Sequence, residues 1–215
     1  MSEAAPTVYV IDDDASFLVA IARFLRASKF QVKAFFSAAE FLGQITPDIS
    51  GCVLVDLHMP GMDGLELQAE LARARHTTPV IFLTGQGDIP SSVHAMRDGA
   101  EDYLEKLAPK NKLVEAVRRA LARDARERAE RARRSELRVL FDSLTERERE
   151  VLGHVVQGKL NKHIACDLGI NERTVKAHRT AITTKLGVPS VAELTRMALD
   201  AGVFPEAALT SPKGL

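Results

Sequence analysis

Carboxylate, hydroxyl and ammonium side chains follow four short strand-like runs in the first half of this 215-residue chain. The acidic triplet Asp12–Asp14 follows the first of these runs, and the others are followed by Asp56, Thr84 and Lys106. Clustered carboxylates hold hard divalent cations, and Mg²⁺ suits one or two carboxylates together with a phosphate. A carboxylate can also act as a nucleophile and form an acyl phosphate. These residue types therefore indicate phosphoryl transfer to an aspartate, a reaction that depends mainly on positioning and charge neutralisation.

Strands and helices that alternate along residues 1–121 would bring these side chains together. The strand-like runs are short and mostly continuous, as in strands covered on both faces: Val8–Ile11, Val32–Phe36, Cys52–Val55, Val80–Leu83 and Asp102–Glu105. Segments of helical period lie between and after them, over 15–28, 37–45, 64–75, 90–98 and from 109 onward. The alternation predicts a doubly wound, five-stranded parallel sheet. Ligands bind beyond the carboxyl ends of such strands, so we expect the polar residues there to share one pocket.

The second part of the chain has a different pattern. Residues 122–138 are rich in Ala and Arg, and their central run has no large apolar residue, which predicts a solvated helical linker. A disordered basic linker is the alternative. Short helices are then predicted over about 146–157, 161–168, 172–186 and 190–201. Capping boxes beginning at Thr145 and Ser190 open the first and last of them, and the turn at Gly169 gives the middle pair helix-turn-helix spacing.

The net charge of zero is a cancellation between these two parts. Residues 1–121 carry 12 basic and 16 acidic side chains, whereas residues 122–215 carry 17 basic and 13 acidic ones. The whole chain is therefore neither a uniformly basic nucleic-acid binder nor an acidic disordered segment. An acidic half and a basic half suggest two domains with different partners.

The remaining composition points to an ordinary cytoplasmic protein. The two cysteines, Cys52 and Cys166, are far apart in sequence, and we expect both to be buried thiols and not a disulfide or a metal site. The N-terminus lacks the basic and apolar stretches of a signal peptide. No apolar run approaches the roughly 18 residues of a membrane span, so no membrane partner is expected.

Residues 7–121 resemble the receiver domain of two-component response regulators, which has a flavodoxin-like α/β fold. The resemblance rests on the segments VYVIDDD, VLVDLHMPGMDG, VIFLTGQGD and DYLEK. It implies that Asp56 is the phospho-acceptor and that Asp12 and Asp13 bind Mg²⁺ or Mn²⁺ with it. The remaining implied roles are the backbone carbonyl of His58 as a further metal ligand, Thr84 and Lys106 as ligands of the phosphoryl oxygens, and Tyr103 as the aromatic residue that reorients when Thr84 moves.

Leu107 departs from the receiver pattern, in which the lysine is usually followed by a proline in a cis peptide bond. A cis bond before a residue other than proline costs about 2.5–4 kcal/mol. We therefore predict a trans bond between Lys106 and Leu107 and a reshaped loop after the fifth strand. Whether Lys106 still reaches the phosphoryl group is left open by the sequence.

Residues 144–201 resemble the LuxR/NarL/FixJ-type DNA-binding domain, through the segments LTEREREVL, GKLNKHIA, INERTVKAHR and KLGVPSVAEL. The segment 172–186 carries four basic residues and one acidic residue, with an apolar stripe of Val175, Ile182 and Leu186, so a basic face could enter a major groove. By the resemblance, the residues that face bases are Lys176, Ala177 and Thr180. The candidates for backbone contacts are Lys162, Thr174, His178, Arg179 and Lys185, and His178 could instead be a core residue. Departures from the pattern are Leu160 and His163, where Ser and Glu are more usual.

Together the two resemblances identify the chain as a response regulator. The segment LTGQGDIP favours the FixJ-like subgroup. We expect a receiver domain over 1–121, a charged helical linker over 122–141 and a DNA-binding domain over 142–215. A histidine kinase would phosphorylate Asp56, and phosphorylation would switch homodimerisation and binding to double-stranded promoter DNA. RNA polymerase is a further expected partner.

Two other interpretations compete with this one. An aspartyl-phosphate phosphatase or phosphotransferase would use the same nucleophile, but such enzymes typically need a second aspartate two residues later, where this chain has His58. We therefore expect no enzymatic activity. The second is a DNA-binding regulator that is independent of phosphorylation and uses its receiver domain only for dimerisation.

Overall fold

Residues 6–46, 48–85 and 99–203 are described by the structure, a computed structural model. The chain divides into two compact units, Met1–Arg128 and Ala129–Leu215. The helix predicted over 90–98 lies outside the described residues. None of the helices in the described ranges combines the length and the apolar character that a membrane span requires.

The first unit contains the predicted five-stranded parallel sheet, with strand order β2-β1-β3-β4-β5. Its strands are β1 (Thr7–Ile11), β2 (Gln31–Phe35), β3 (Gly51–Asp56), β4 (Val80–Thr84) and β5 (Asp102–Glu105). The helices described between and after them are α1 (Ala15–Ala27), α2 (Ala38–Leu42), α3 (Gly64–Arg73) and α4 (Lys110–Asp142). The prediction of a doubly wound sheet is confirmed.

Two apolar clusters cover the two faces of this sheet. Successive side chains of a strand point to opposite faces, so Tyr9 belongs to one cluster and Val8 to the other. The first cluster includes residues of α2 and α3, such as Phe41 and Leu67. The second includes residues of α1 and α4, such as Leu18. Burial on both faces explains why the central strands are continuous apolar runs in the sequence.

Gly51 begins β3 where the backbone leaves no room for a side chain. Its φ is +133°, and a Cβ atom built there would lie 1.8 Å from the carbonyl oxygen of Thr7. The Gly51 amide donates a hydrogen bond to Oδ2 of the buried Asp124, at 2.9 Å. One turn further along α4, Arg128 donates to the carbonyl oxygen of Ile49 at 3.0 Å. These contacts attach α4 to the start of β3.

The helix α4 runs without interruption through the segment predicted to be a linker, so the helical interpretation holds and the disordered alternative is wrong. Residues 129–136 of this helix are exposed on every side. Asp124 and Arg128 fall within the predicted linker, yet both bind the first unit. The sequence pattern of this segment, with few large apolar residues, did not indicate that Asp124 and Arg128 form these contacts.

The second unit contains α5 (Glu146–Val156), α6 (Asn161–Leu168), α7 (Glu172–Leu186) and α8 (Val191–Ala201). Thr145 and Glu148 form the predicted capping box of α5. Gly169 ends α6 in the left-handed conformation, with φ 65°, and so makes the turn into α7. The core of this unit is apolar and contains Val151, Leu152, Ile164, Val175, Ile182, Leu186 and Leu194.

The expectation that both cysteines are buried is half right. Cys52 is buried in β3, and burial raises the pKa of its thiol to about 12. Cys166 is exposed, so the prediction for it is wrong. Ile164 and Ala165 occupy the buried face of α6, and the next residue along a helix turns away from that face.

Candidate functional site

Three carboxylates meet at the carboxyl ends of β1 and β3, which are neighbours in the sheet. Ligand oxygens of Asp12, Asp13 and Asp56 all lie within 4.8 Å of one another. Asp12 and Asp56 are buried, at 1% and 6% exposure, and Asp13 is exposed. A set of carboxylate oxygens with one side open to water fits Mg²⁺, which prefers oxygen ligands and retains several waters.

Asp14, the third residue of the acidic triplet, has a different task. Its side chain caps α1 by accepting hydrogen bonds from the backbone amides of Ser16, at 2.8 Å, and Phe17, at 3.2 Å. Its own amide donates to Oδ1 of Asp12 at 3.0 Å and so orients that carboxylate. Asp14 therefore couples the start of α1 to the acidic pocket.

Lys106 reaches this pocket from the loop after β5. Its Nζ atom lies 2.7 Å from Oδ2 of Asp12 and 3.1 Å from Oδ2 of Asp56, so the side chain spans the two carboxylates. Its amide donates to the carbonyl oxygen of Thr84 at 2.7 Å, which fixes the backbone beside β4. Lys106 therefore reaches Asp56 although Leu107, and not a proline, follows it. The bond between Lys106 and Leu107 is trans, as predicted.

The ionisation of the pocket follows from burial and from this ion pair. Burial lowers the pKa of Lys106, but hydrogen bonds to Asp12 and Asp56 outweigh it, and the net pKa is raised. Burial raises the pKa of Asp12, and the bonds from Lys106 and from the Asp14 amide oppose it only in part. The ammonium of Lys106 therefore remains charged and partly neutralises the two buried carboxyl groups.

Thr84, Tyr103 and His58 lie around this centre. Thr84 is the last residue of β4 and is fully buried. Tyr103, on β5, has its ring centroid 6.4 Å from that of Phe82, and its buried hydroxyl has no hydrogen-bond partner within the described ranges. His58 is exposed, two residues after Asp56. Thr84 thus lies at the same edge of the sheet as Asp12 and Asp56, whereas Tyr103 lies within β5, paired with Phe82 in the middle of β4.

Phe17 is a neighbour of the pocket that the sequence analysis missed. The Nζ atom of Lys106 lies 4.6 Å from the centroid of its ring, within the range of a cation–π contact. Phe17 lies in the segment 15–28, for which the sequence predicted only a helix. A helical pattern does not distinguish a ring that packs on the core from one that also faces a cation.

The predicted DNA-binding residues lie on the helix pair α6 and α7. Asn171 caps α7 by accepting hydrogen bonds from the amide of Thr174, at 2.8 Å, and from its hydroxyl, at 2.9 Å. The predicted apolar stripe of α7 is buried. Its exposed residues include all three of the predicted base-facing ones, Lys176, Ala177 and Thr180, and Lys162 on α6 is also exposed.

Like Thr174, two further predicted backbone-contact residues are engaged within the domain. Arg179 donates to Oδ1 of Asn161 at 2.7 Å, and Nζ of Lys185 lies 2.7 Å from Oε2 of the buried Glu148. The bond from Lys185, followed by that from the Thr145 amide, lowers the pKa of Glu148. Lys185 thus stabilises the junction of α5 and α7. Thr174 and His178 are half-buried.

Comparison with protein-family models gives two matches. Residues 8–118 match the response regulator receiver domain, and residues 142–198 match the luxR family of bacterial regulatory proteins. The acidic pocket lies in the first match, and the helix pair α6 and α7 lies in the second.

Several known proteins are similar along almost the whole chain. The transcriptional regulatory protein FixJ of Azorhizobium caulinodans is 45% identical over 206 residues, which cover 95% of this chain and 97% of that protein. The response regulator protein TodT of Pseudomonas putida is 39% identical over 197 residues, or 92% of this chain and 87% of TodT. A solved structure of the response regulator StyR is 41% identical, with a TM-score of 0.81 over 91% of this chain and 99% of StyR.

Proposed function

The chain belongs to the response regulators with a LuxR-type DNA-binding domain, and from that premise we propose that phosphorylation of Asp56 switches its dimerisation and DNA binding. Proteins of this family are transcription factors and not enzymes, so the chain is a two-component response regulator that controls transcription. Its domains imply a histidine kinase and DNA as partners. The convergence of three carboxylates and Lys106 carries the proposal.

Asp56 is the nucleophile in this proposal. One carboxylate oxygen forms a bond to the phosphorus of a phosphohistidine or of acetyl phosphate while the donor's bond to phosphorus breaks and the histidine or acetate leaves. Receiver domains bind Mg²⁺ through acidic residues, and here Asp12, Asp13 and Asp56, with the backbone carbonyl of His58, would hold it or Mn²⁺. When bound, the cation neutralises charge on the phosphoryl oxygens.

Thr84 and Lys106 are the proposed ligands of the transferred phosphoryl group. The Lys106 ammonium already lies 3.1 Å from Asp56, so a small rotation of its side chain would move it from the carboxylate to a phosphoryl oxygen. Thr84 ends the strand beside β3, where its hydroxyl can donate to a second oxygen. Its own shift towards the phosphoryl group would start the conformational change.

Tyr103 carries that change outward in the proposed switch. Its hydroxyl is buried beside β4 without a hydrogen-bond partner in the described part of the chain, which makes its position sensitive to a movement of Thr84. The surface near β5 would then favour a homodimer. Phosphorylation needs only a few kcal/mol of preference for the active state to shift this population.

One helix with few basic residues has limited affinity for DNA. A dimer would place two copies of α7 on paired DNA half-sites and so raise that affinity. Lys176, Ala177 and Thr180 are the proposed base-facing residues, and their exposure supports this role. Lys162 and Arg179 would contact the DNA backbone, as would Thr174, His178 and Lys185. A contact with RNA polymerase would follow at the promoter.

The deciding experiment is mass spectrometry of the intact protein after treatment with acetyl phosphate and Mg²⁺. We expect one added phosphoryl group in the wild type and none in Asp56→Asn. Asp13→Asn is the matched control, because it keeps the acceptor and should raise the Mg²⁺ concentration needed. Light scattering and binding to promoter DNA are then compared with and without the phosphodonor.

Equal labelling of Asp56→Asn and the wild type would exclude Asp56 as the acceptor. A wild type that stays unlabelled but dimerises and binds DNA would instead favour the regulator that is independent of phosphorylation.

A further inference from the structure

We propose that Phe17 is a positioning residue for Lys106 in phosphoryl transfer to Asp56, an inference that rests on the proposed function. The face of its ring lies 4.6 Å from the lysine's Nζ atom, on α1 and outside the acidic cluster itself. The negative face of an aromatic ring attracts a cation, so the ring restrains an ammonium that would otherwise be held only by carboxylates.

The placement of this ring is fixed by its own helix. The Phe17 amide donates to Oδ1 of the N-cap residue Asp14 at 3.2 Å, which sets the backbone at the first turn of α1. The side chain is half-buried and packs on the apolar cluster that includes Leu18 and Leu54. A ring restrained by a cap and by the core is a rigid platform for a flexible lysine.

The residue that follows Lys106 gives its side chain little support. Leu107 is 90% exposed and packs little against the domain, and the backbone turns back at once through a hydrogen bond from the Ala108 amide to the Glu105 carbonyl, at 2.8 Å. The backbone of Lys106 is anchored at Thr84. Its side chain is a flexible four-carbon stem that is 17% exposed, so the position of the ammonium depends on the groups that hold it, which are Asp12, Asp56 and the Phe17 ring.

Phosphoryl transfer makes such a restraint useful. In the resting protein the ammonium is bound to Asp12 and Asp56. During transfer an Asp56 oxygen bonds to phosphorus as the donor's P–O bond breaks and acetate leaves, so Lys106 exchanges a carboxylate for a phosphoryl oxygen. A ring has no charge and no directional hydrogen bond, so it holds the ammonium nearby through that exchange.

The same helix offers a matched control. Phe24 lies two turns further along α1 than Phe17, and its ring centroid is 5.1 Å from Nζ of Lys110, the first residue of α4. Replacing Phe24 by leucine removes the same ring and a similar cation–π contact from the same helix. It keeps the three residues that contact Nζ of Lys106, which are Asp12, Asp56 and Phe17.

The test measures the rate of phosphorylation by acetyl phosphate and Mg²⁺ in Phe17→Leu, Phe17→Tyr and Phe24→Leu. We expect Phe17→Leu to be about two- to fivefold slower, the range for one exposed or half-buried cation–π contact. Phe17→Tyr, which keeps the ring, should match the wild type, and so should Phe24→Leu. In a Lys106→Ala background, Phe17→Leu should cause no further slowing.

A second readout needs neither metal nor phosphate. In an NMR spectrum of the resting protein, the ε-methylene protons of Lys106 should be shifted upfield by the ring of Phe17, and Phe17→Leu should remove that shift. The corresponding shift of Lys110 should persist in Phe17→Leu and disappear in Phe24→Leu.

The outcomes separate this inference from the function on which it rests. If the wild type accepts a phosphoryl group and Phe17→Leu matches its rate, or if Phe17→Tyr is as slow as Phe17→Leu, the positioning role is refuted and the proposed function stands. A Phe17→Leu effect that persists at full size in the Lys106→Ala background also refutes it. If the wild type accepts no phosphoryl group, both proposals fail together.

Discussion

Glu148 is predicted to stabilise the DNA-binding unit through its charge. Its Oε2 atom accepts a hydrogen bond from the Thr145 amide, at 2.8 Å, and lies 2.7 Å from Nζ of Lys185. Glu148→Gln keeps an acceptor oxygen for both donors and loses only the charge. Hydrogen bonds to charged groups contribute about 1.5–3 kcal/mol and neutral ones about 0.5–1.5 kcal/mol, so the expected loss of unfolding free energy is roughly 1–2 kcal/mol.

Hydrogen exchange followed by mass spectrometry suits this measurement, because the chain has no tryptophan and both of its tyrosines lie in the first unit. A loss of 1–2 kcal/mol should raise the exchange rates of the most protected amides of α5 and α7 by about 5- to 30-fold. Glu150→Gln on the same helix is the matched control, since its pair with Arg147 is exposed and contributes little.

The effect should depend on pH in a defined direction. The pKa of Glu148 is lowered in the folded protein, chiefly by Lys185. The stabilisation is therefore complete above the pKa of an unfolded glutamate and is lost as the pH falls through the lower folded value. Glu148→Gln should lack this component. Similar exchange rates in Glu148→Gln and the wild type, or an equal change in Glu150→Gln, would refute the reasoning.

Three further predictions concern other positions. Gly51→Ala should be among the most destabilising single substitutions, costing about 4 kcal/mol or preventing folding, because its Cβ would lie 1.8 Å from the Thr7 carbonyl oxygen; thermal unfolding followed by circular dichroism measures this. Leu160→Ser should stabilise α6 by about 1 kcal/mol, because Leu160 is an N-cap without a side-chain hydrogen bond, and slower amide exchange in α6 would show it. Lys176→Ala should weaken promoter binding. The salt dependence of that binding should show whether Lys176 contacts a phosphate: if it does, the magnitude of the slope of log K against log salt falls by about 1 per subunit in the variant.

The sheet and its pocket were predictable because two physical patterns agree there. Strands buried on both faces must be continuous apolar runs, and parallel strands bring their carboxyl ends to one edge. Asp56 and Thr84 could therefore be placed at that edge from the sequence alone. The N-cap preference of aspartate could likewise have separated Asp14 from its two neighbours, since α1 begins directly after it.

The contacts that escaped prediction join residues that are distant in sequence. Lys185 lies 37 positions from Glu148, and Asp124 lies 73 positions from Gly51. Each partner looks like an ordinary solvated charge or a loop glycine within its own segment. Cys166 was misplaced for a different reason, because its apolar neighbours in sequence lie about 100° or more away around the helix.

The contrast between the two thiols provides a native labelling handle. Only the thiolate reacts readily with maleimides, and Cys52, buried with a pKa of about 12, supplies almost none near neutral pH. Cys166 is exposed on α6, in the helix pair that carries the candidate DNA contacts. A fluorophore or spin label should therefore attach at one position without any engineered cysteine. In a homodimer the two labels would form a symmetric pair, whose separation could be followed as phosphodonor or promoter DNA is added.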